Sequence, residues 1–213
     1  MGLPHHFCWT KYGTEAGETT SSILERKERE RADNGGTFLW GIGNSIRPSL
    51  LALLEIENEP QVLFTPMLTR PAVKDTTPAV VGRWTRAVGA DGLPWNLPEH
   101  TLVTSGVGTG QPEPTRHFAL VCERPDPLGS GKEGWLDEDE LRNLRTGSVV
   151  GASQVTSVVR RIALPERRDR YTVSFQAALV YPYFVTLTGW RPMAQPKLPD
   201  YAFSEDLVAA SRA

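Results

Sequence analysis

The chain has few cysteines, methionines and lysines, and it has no long apolar run. Its 213 residues include 2 cysteines and 3 methionines, and arginine supplies most of the 23 basic residues. No stretch approaches the roughly 18 consecutive apolar residues of a membrane span, so we expect no membrane association. Cys8 and Cys122 lie far apart, and the N-terminus lacks a basic segment followed by an apolar one. We therefore expect no signal peptide, reduced thiols and a cytoplasmic location.

Several catalytic and cofactor signatures are also missing. Gly41-x-Gly43 lacks the third glycine of a dinucleotide fingerprint, and no GK[ST] follows the glycines at 106, 108 and 110. There is no CxxC, HExxH or GxSxG motif. Cys122 lies in an apolar segment, which favours a buried, inert thiol. The sequence thus predicts no catalytic nucleophile, no metal site and no cofactor.

Charge is nearly balanced, with one local exception. The net charge of −2 argues against tight binding to nucleic acid regardless of sequence, because that mode needs many contacts between basic side chains and phosphates. Five arginines nevertheless cluster around one loop, opposed there by Glu166 and Asp169. They are Arg160, Arg161, Arg167, Arg168 and Arg170. This cluster is a candidate phosphate-binding surface, and a solubilising loop is the alternative interpretation.

Hydrophobic patterning predicts a β-rich α+β domain, with a curved sheet or small barrel and two or three packed helices. The predicted strands span residues 7–12, 61–65, 79–81, 101–107, 116–123, 149–162, 171–180 and 183–190. The predicted helices span 17–33, 48–56, 137–145 and 204–211. Strands 101–107 and 116–123 are expected to form a hairpin. Long βαβ units are missing, which argues against a doubly wound nucleotide-binding fold.

The chain is predicted to form a single domain over residues 1–191, followed by a Pro-rich tail over 192–213. Within the domain, residues 66–100 are rich in proline and are predicted to be a mostly irregular insertion. Both the insertion and the tail are candidate binding sites for a protein partner.

The segment from Phe38 to Ile46 carries the strongest functional signal. It combines Trp40, Gly41, Asn44 and Ser45 within a few residues. Such a turn can bring backbone close to a flat ligand while the indole offers a stacking face and the polar side chains bind the ligand's edge. The alternative is a tight turn beside a tryptophan of the core.

Four short segments, in this order, match the pattern of a known family. FCWTK (Phe7–Lys11) is similar to an aromatic opening strand, and WGIGN (Trp40–Asn44) to a W-x-G-V-R-N segment with one residue deleted and glycine replacing arginine. PQVLF (Pro60–Phe64) corresponds to a GD-L-V-F-F strand without the Gly-Asp, and Phe118–Pro127 to a strand and its PDP loop. The chain thus resembles an EVE domain of the PUA-like group, which includes YTH and ASCH domains, over residues 7 to about 162.

This resemblance implies a PUA-like pseudo-barrel with a pocket that reads a modified or flipped nucleobase in DNA or RNA. It implies that Trp40 and Asn44 line the pocket and that Trp9 and Thr10 contribute from the opening strand. Gly41 lies within the matched segment, and Ser45 is added because it neighbours Asn44. A flipped base would be held by stacking on indole, and its edge would be read by polar groups.

Two other functions remain open. The same pocket could belong to an enzyme acting on a nucleoside or another small aromatic metabolite, with His100, His117 and Glu123 as acid–base candidates. The chain could also be a subunit that binds another protein through residues 66–100 or the tail.

Overall fold

A computed structural model describes residues 3–12, 20–66, 80–97, 102–105, 115–127, 134–151, 155–166 and 171–192. Two α-helices lie within these residues, α1 (Thr20–Asp33) and α2 (Arg47–Ile56). The strands are β1 (His6–Tyr12), β2 (Thr37–Ile42), β3 (Gln61–Pro66), β4 (Val80–Arg83), β5 (Arg86–Gly89), β6 (Pro94–Trp95), β7 (Leu102–Ser105), β8 (Arg116–Pro127), β9 (Trp135–Leu136), β10 (Leu141–Asn143), β11 (Thr156–Arg161), β12 (Tyr171–Thr172), β13 (Phe175–Thr188) and β14 (Arg191–Pro192). The protein is therefore β-rich and α+β, as its patterning predicts.

The long strand β13 organises a mixed sheet of nine strands. It pairs antiparallel with β3, β5 and β8, and the sheet order is β10-β11-β1-β3-β13-β5-β6, with β8 joining β13 to β2. The pairing of β1 with β3 is parallel. The register between β13 and β8 shifts between Leu179 and Phe184, and such irregularities bend a strand. The strands predicted separately over 171–180 and 183–190 thus belong largely to one strand with an irregularity inside it.

Alternation along the strands divides the buried residues into clusters on opposite faces. In β1, Cys8 and Tyr12 join the first core cluster, whereas Phe7 and Trp9 join the second. Successive side chains of a strand point to opposite sides of its sheet, so neighbours in sequence enter different clusters. A third cluster includes Leu39. Both cysteines are buried and unpaired, and burial raises the pKa of Cys8 to about 12.

Two side chains of α1 form hydrogen bonds with the backbone of β2, as a neighbouring strand would. The Glu30 carboxylate accepts a hydrogen bond from the Leu39 amide at 2.7 Å, and the Lys27 ammonium donates one to the Leu39 carbonyl. Lys27 and Glu30 also pair with each other at 2.7 Å, and both are buried. Burial lowers the pKa of Lys27, and the charge of Glu30 opposes that shift. The pair thus supplies hydrogen-bond partners for the amide and the carbonyl of Leu39, which lies in a strand that also pairs with β8.

Two local predictions are wrong. The helix predicted over 137–145 is instead a 3-10 turn at Glu138–Glu140, capped by Asp137, followed by β10, where Leu141 is buried in the second core cluster. The predicted hairpin of 101–107 with 116–123 does not form, because β7 pairs with β4 while β8 pairs with β2 and β13.

The other elements agree more closely with the patterning. Strands 7–12 and 61–65 and the helices at 17–33 and 48–56 are confirmed within a few residues. Residues 80–97 are more regular than expected, since they hold β4, β5 and β6. The predicted helix at 204–211 lies outside the described residues. No helix in the described part of the chain is long and apolar enough to cross a membrane.

Replacing Glu30 with alanine should strongly destabilise the protein, by about 3–5 kcal/mol, because it leaves the buried Lys27 ammonium without its counterion and the Leu39 amide without an acceptor. The free energy of unfolding from urea titration measures this loss. Glu28→Ala is the matched control, since Glu28 forms an exposed pair with Arg31 at the same helical spacing and should have no measurable effect. Equal stability of the two variants would contradict the role given to Glu30.

A candidate binding cleft beside strand β2

A cleft of about 650 Å³ lies where β2 passes through a 3-10 turn (Asn44–Ile46) into α2. One wall comes from this junction and includes Gly41, Gly43, Ser45 and Ser49. The other comes from the end of β10 and the start of β11. It consists of Asn143, Val155, Thr156, Ser157 and Val158. The volume falls within the range of small-ligand sites, and the lining mixes small polar groups, backbone and aliphatic side chains.

His117 of β8 also borders this cleft, in a space that only a glycine at position 41 leaves open. A Cβ atom on residue 41 would lie 2.5 Å from the His117 Nε2. The imidazole stacks on Trp84, with ring centroids 5.9 Å apart and planes inclined by 14°. Gly41 and Trp84 therefore fix the ring.

The Nε2 of His117 is buried and has no hydrogen-bond partner among the described residues. Burial lowers the pKa of His117 from its ordinary value of 6.5, and the charge of Lys27 lowers the pKa further. The imidazole is therefore neutral at neutral pH. A buried polar atom without a partner is costly unless a ligand or water satisfies it. His117, a residue of the cleft lining, thus carries a buried ring nitrogen that nothing in the described fold uses.

Trp40 lies behind the cleft and is not part of its lining. Its side chain is 8 % exposed and belongs to the first core cluster. The indole contacts Phe64 edge-to-face at 4.7 Å and Tyr12 at 6.3 Å. The stacking face expected for a ligand is thus covered by aromatic neighbours. The geometry matches the alternative interpretation, a tight turn beside a tryptophan of the core.

Trp9 and Thr10 lie on opposite faces of β1. Trp9 is 1 % exposed, belongs to the second core cluster and donates a hydrogen bond from Nε1 to the Thr65 hydroxyl at 3.0 Å. Trp9 and Trp40 therefore do not share a pocket. Thr10 is fully buried, and its hydroxyl lies 3.0 Å from that of Thr156, which lines the cleft. Thr10 thus supports the cleft wall from behind.

Two of the predicted base-binding residues, Gly41 and Ser45, line the cleft. The backbone of Asn44 lies in the 3-10 turn just before Ser45. The segment from Phe38 to Ile46 therefore contributes to one wall of the cleft, although the indole of Trp40 packs in the core and does not line it.

The predicted phosphate-binding arginines differ in their surroundings. Arg161 donates to the Glu140 carboxylate at 2.9 Å and to the Leu3 carbonyl, so its guanidinium is committed within the fold. Arg160 is exposed on β11. Arg167, Arg168 and Arg170 lie outside the described residues.

Of the remaining acid–base candidates, only Glu123 has a described position, and it lies away from the cleft lining. His100 lies outside the described residues, and Glu123 lies opposite Thr37 in the β2–β8 pairing and does not line the cleft. Within the described ranges, no group of three or more His, Cys, Asp or Glu side chains is placed to hold a metal ion.

Sequence reasoning missed the second wall. Asn143 was assigned to a helix, but its carboxamide oxygen accepts hydrogen bonds from the Arg145 and Thr146 amides and shapes a turn after β10. Thr156 and Ser157 carry no motif. Their place at the cleft follows from the antiparallel register between β1 and β11, which a single sequence does not reveal.

The chain matches no protein-family model, no curated protein and no solved structure. The function is therefore inferred from the cleft and its surroundings.

Gly41→Ala should lower the free energy of unfolding by about 1–3 kcal/mol, because the added methyl group must displace the His117 ring. Urea unfolding measures the change. Gly43→Ala is the matched control, since a Cβ there would lie 3.7 Å from the Ser45 hydroxyl, an ordinary contact. Comparable losses in both variants would show that the His117 contact is not the cause.

His117 should also make stability depend on pH. The folded state resists protonation of the ring, so the unfolded chain binds the proton first as the pH falls below 6.5. We expect the free energy of unfolding to decline from pH 6.5 down to the lowered pKa of the folded state and then to level off. His117→Gln should remove this part of the pH profile, measured by urea unfolding between pH 8 and 5. Parallel profiles for wild type and variant would refute the assignment.

Proposed function

We propose that this protein is a binding module that reads a modified or flipped nucleobase of DNA or RNA in the cleft beside β2. The observation that carries the proposal is a cleft with Gly41 and Gly43 on one wall, small polar side chains on both and His117, whose buried Nε2 has no partner among the described residues, in its lining. The family resemblance in the sequence favours the same class of ligand.

The chemistry of the cleft suits an uncharged, planar heterocycle. No acidic or basic side chain other than His117 lines it among the described residues, and His117 is neutral. The hydroxyls of Ser45 and Thr156 and the imidazole of His117 can bind the donors and acceptors on the edge of a base. The aliphatic side chains of Ile42 and Val155 can contact its faces.

This mode of reading differs from stacking on tryptophan. Trp40 is held by Tyr12 and Phe64 and supports the strand that forms the first wall. Specificity would then come from hydrogen bonds to the edge of the base. A base with an altered exocyclic group would change the number of donors and acceptors it presents to this wall.

Fluorescence titration with labelled single-stranded oligonucleotides, with and without methylated adenine or cytosine, tests the proposal. We expect weak, salt-sensitive binding that prefers one base. His117→Phe keeps an aromatic ring on Trp84 but removes both ring nitrogens, and it should weaken binding about tenfold. Ser45→Trp should block the cleft, whereas Thr172→Trp, on an exposed strand position, is the control for a surface tryptophan. Equal, negligible binding to every oligonucleotide would refute the proposal, and so would full binding by Ser45→Trp.

One observation favours a second candidate, an enzyme acting on a nucleoside or another small aromatic metabolite. A neutral histidine with a lowered pKa, bordering a cleft, is a group that can act as a general base. Against it, no second titratable group lines the cleft among the described residues. Time-dependent conversion of a nucleoside by wild type, abolished in His117→Phe, would favour this candidate over the binding module.

A further inference from the structure

We infer that a second, smaller hollow next to the cleft is a phosphate subsite, so that the ligand is a base that carries its sugar and phosphate. This inference rests on the proposed function, because it assigns the group attached to the bound base. The hollow has a volume of about 220 Å³. It is lined by Ile42, Arg47, Arg116, His117, Phe118 and Thr186.

The two hollows adjoin each other. Ile42 and His117 belong to the lining of both, so a ligand in the cleft can extend past them into the second hollow. Among the described residues, the cleft is lined by neutral groups, whereas the lining of the second hollow includes two arginines and Thr186. This order, a neutral compartment followed by a cationic one, matches a base followed by its phosphate.

Both arginines are available to an anion. Within the described part of the chain, neither Arg47 nor Arg116 pairs with an acidic side chain, and both are exposed. The Arg47 guanidinium lies 5.7 Å above the Phe184 ring, a cation–π contact that orients it without neutralising it. Guanidinium groups bind phosphate oxygens through paired, charge-assisted hydrogen bonds.

This pair is better placed than Arg160 and Arg161 at the end of β11. Arg161 is neutralised by Glu140, and neither residue lines the cleft or the second hollow. Arg47 directly follows the 3-10 turn of the cleft wall, and Arg116 directly precedes His117. Both arginines are therefore adjacent in sequence to residues of the proposed base site.

The test compares dissociation constants, by calorimetry, for the nucleosides of the four common bases, methylated adenosine and methylated cytidine, and their monophosphates. For the base that binds best, we expect the monophosphate to bind about tenfold more tightly than the nucleoside. Arg47→Gln and Arg116→Gln should each remove most of that gain while leaving nucleoside affinity unchanged. Arg47→Lys and Arg116→Lys should restore part of it. Arg191→Gln, at an exposed position on β14, is the control and should retain the full gain.

A second arm identifies the source of the phosphate. If Arg47→Gln binds a trinucleotide without a terminal phosphate more weakly than wild type does, the subsite takes the phosphodiester of a strand. If both bind that trinucleotide equally, the subsite takes a free phosphate monoester. Equal affinity of nucleoside and monophosphate in the wild type would overturn the phosphate subsite and leave the base site intact. Failure of every nucleoside, nucleotide and trinucleotide to bind would overturn both.

Discussion

Leu39, Trp40 and Gly41 follow one another in β2, and successive side chains of a strand point to opposite faces of its sheet. Trp40 therefore enters the first core cluster, while Leu39 joins the third, and Gly41 meets the imidazole of His117. One local rule thus determines both the core packing and the position of the glycine that leaves room for the imidazole beside the cleft. A shift of β2 by one residue against β8 would bury the glycine and bring the indole to the other face.

The Lys27–Glu30 pair connects this strand with the chemistry of the site. Its hydrogen bonds hold the backbone of Leu39, two residues before Gly41. The same ammonium group contributes to the lowered pKa of His117, although burial of the ring is the larger cause. Helix α1 therefore acts on the cleft in two ways, by fixing the strand that forms one wall and by keeping the imidazole uncharged.

The agreement between sequence and structure depends on how local each signal is. Strand β1 and helix α2 have apolar patterns that need no distant partner to be interpreted, and both occur where predicted. The stretch from 137 to 145 carries acidic residues first and arginine last, which is typical of a helix. Burial of Leu141 between β11 and the second core cluster outweighs that preference. The predicted hairpin is wrong for a similar reason, because both of its strands pair with more distant segments.

The residues that line the cleft also differ in whether a local sequence signal reveals them. Gly41 and Ser45 are recognisable because turn residues cluster around them, but Thr156 and Asn143 reach the site only through long-range pairing. Trp40 illustrates a further limit, since an indole that stacks on a ligand and one that fills a core are the same residue in a sequence. Only its neighbours Tyr12 and Phe64 distinguish the two.

The pairing of β1 with β11 also constrains how the protein is made. Residues 6–10 pair with residues 156–160, so this edge of β1 cannot pair with β11 until most of the chain has left the ribosome. Such distant contacts slow folding, because a large loop must close before they form. During synthesis one edge of β1 can pair with β3 early, but the other edge stays unpaired until β11 emerges, and unpaired strand edges favour aggregation.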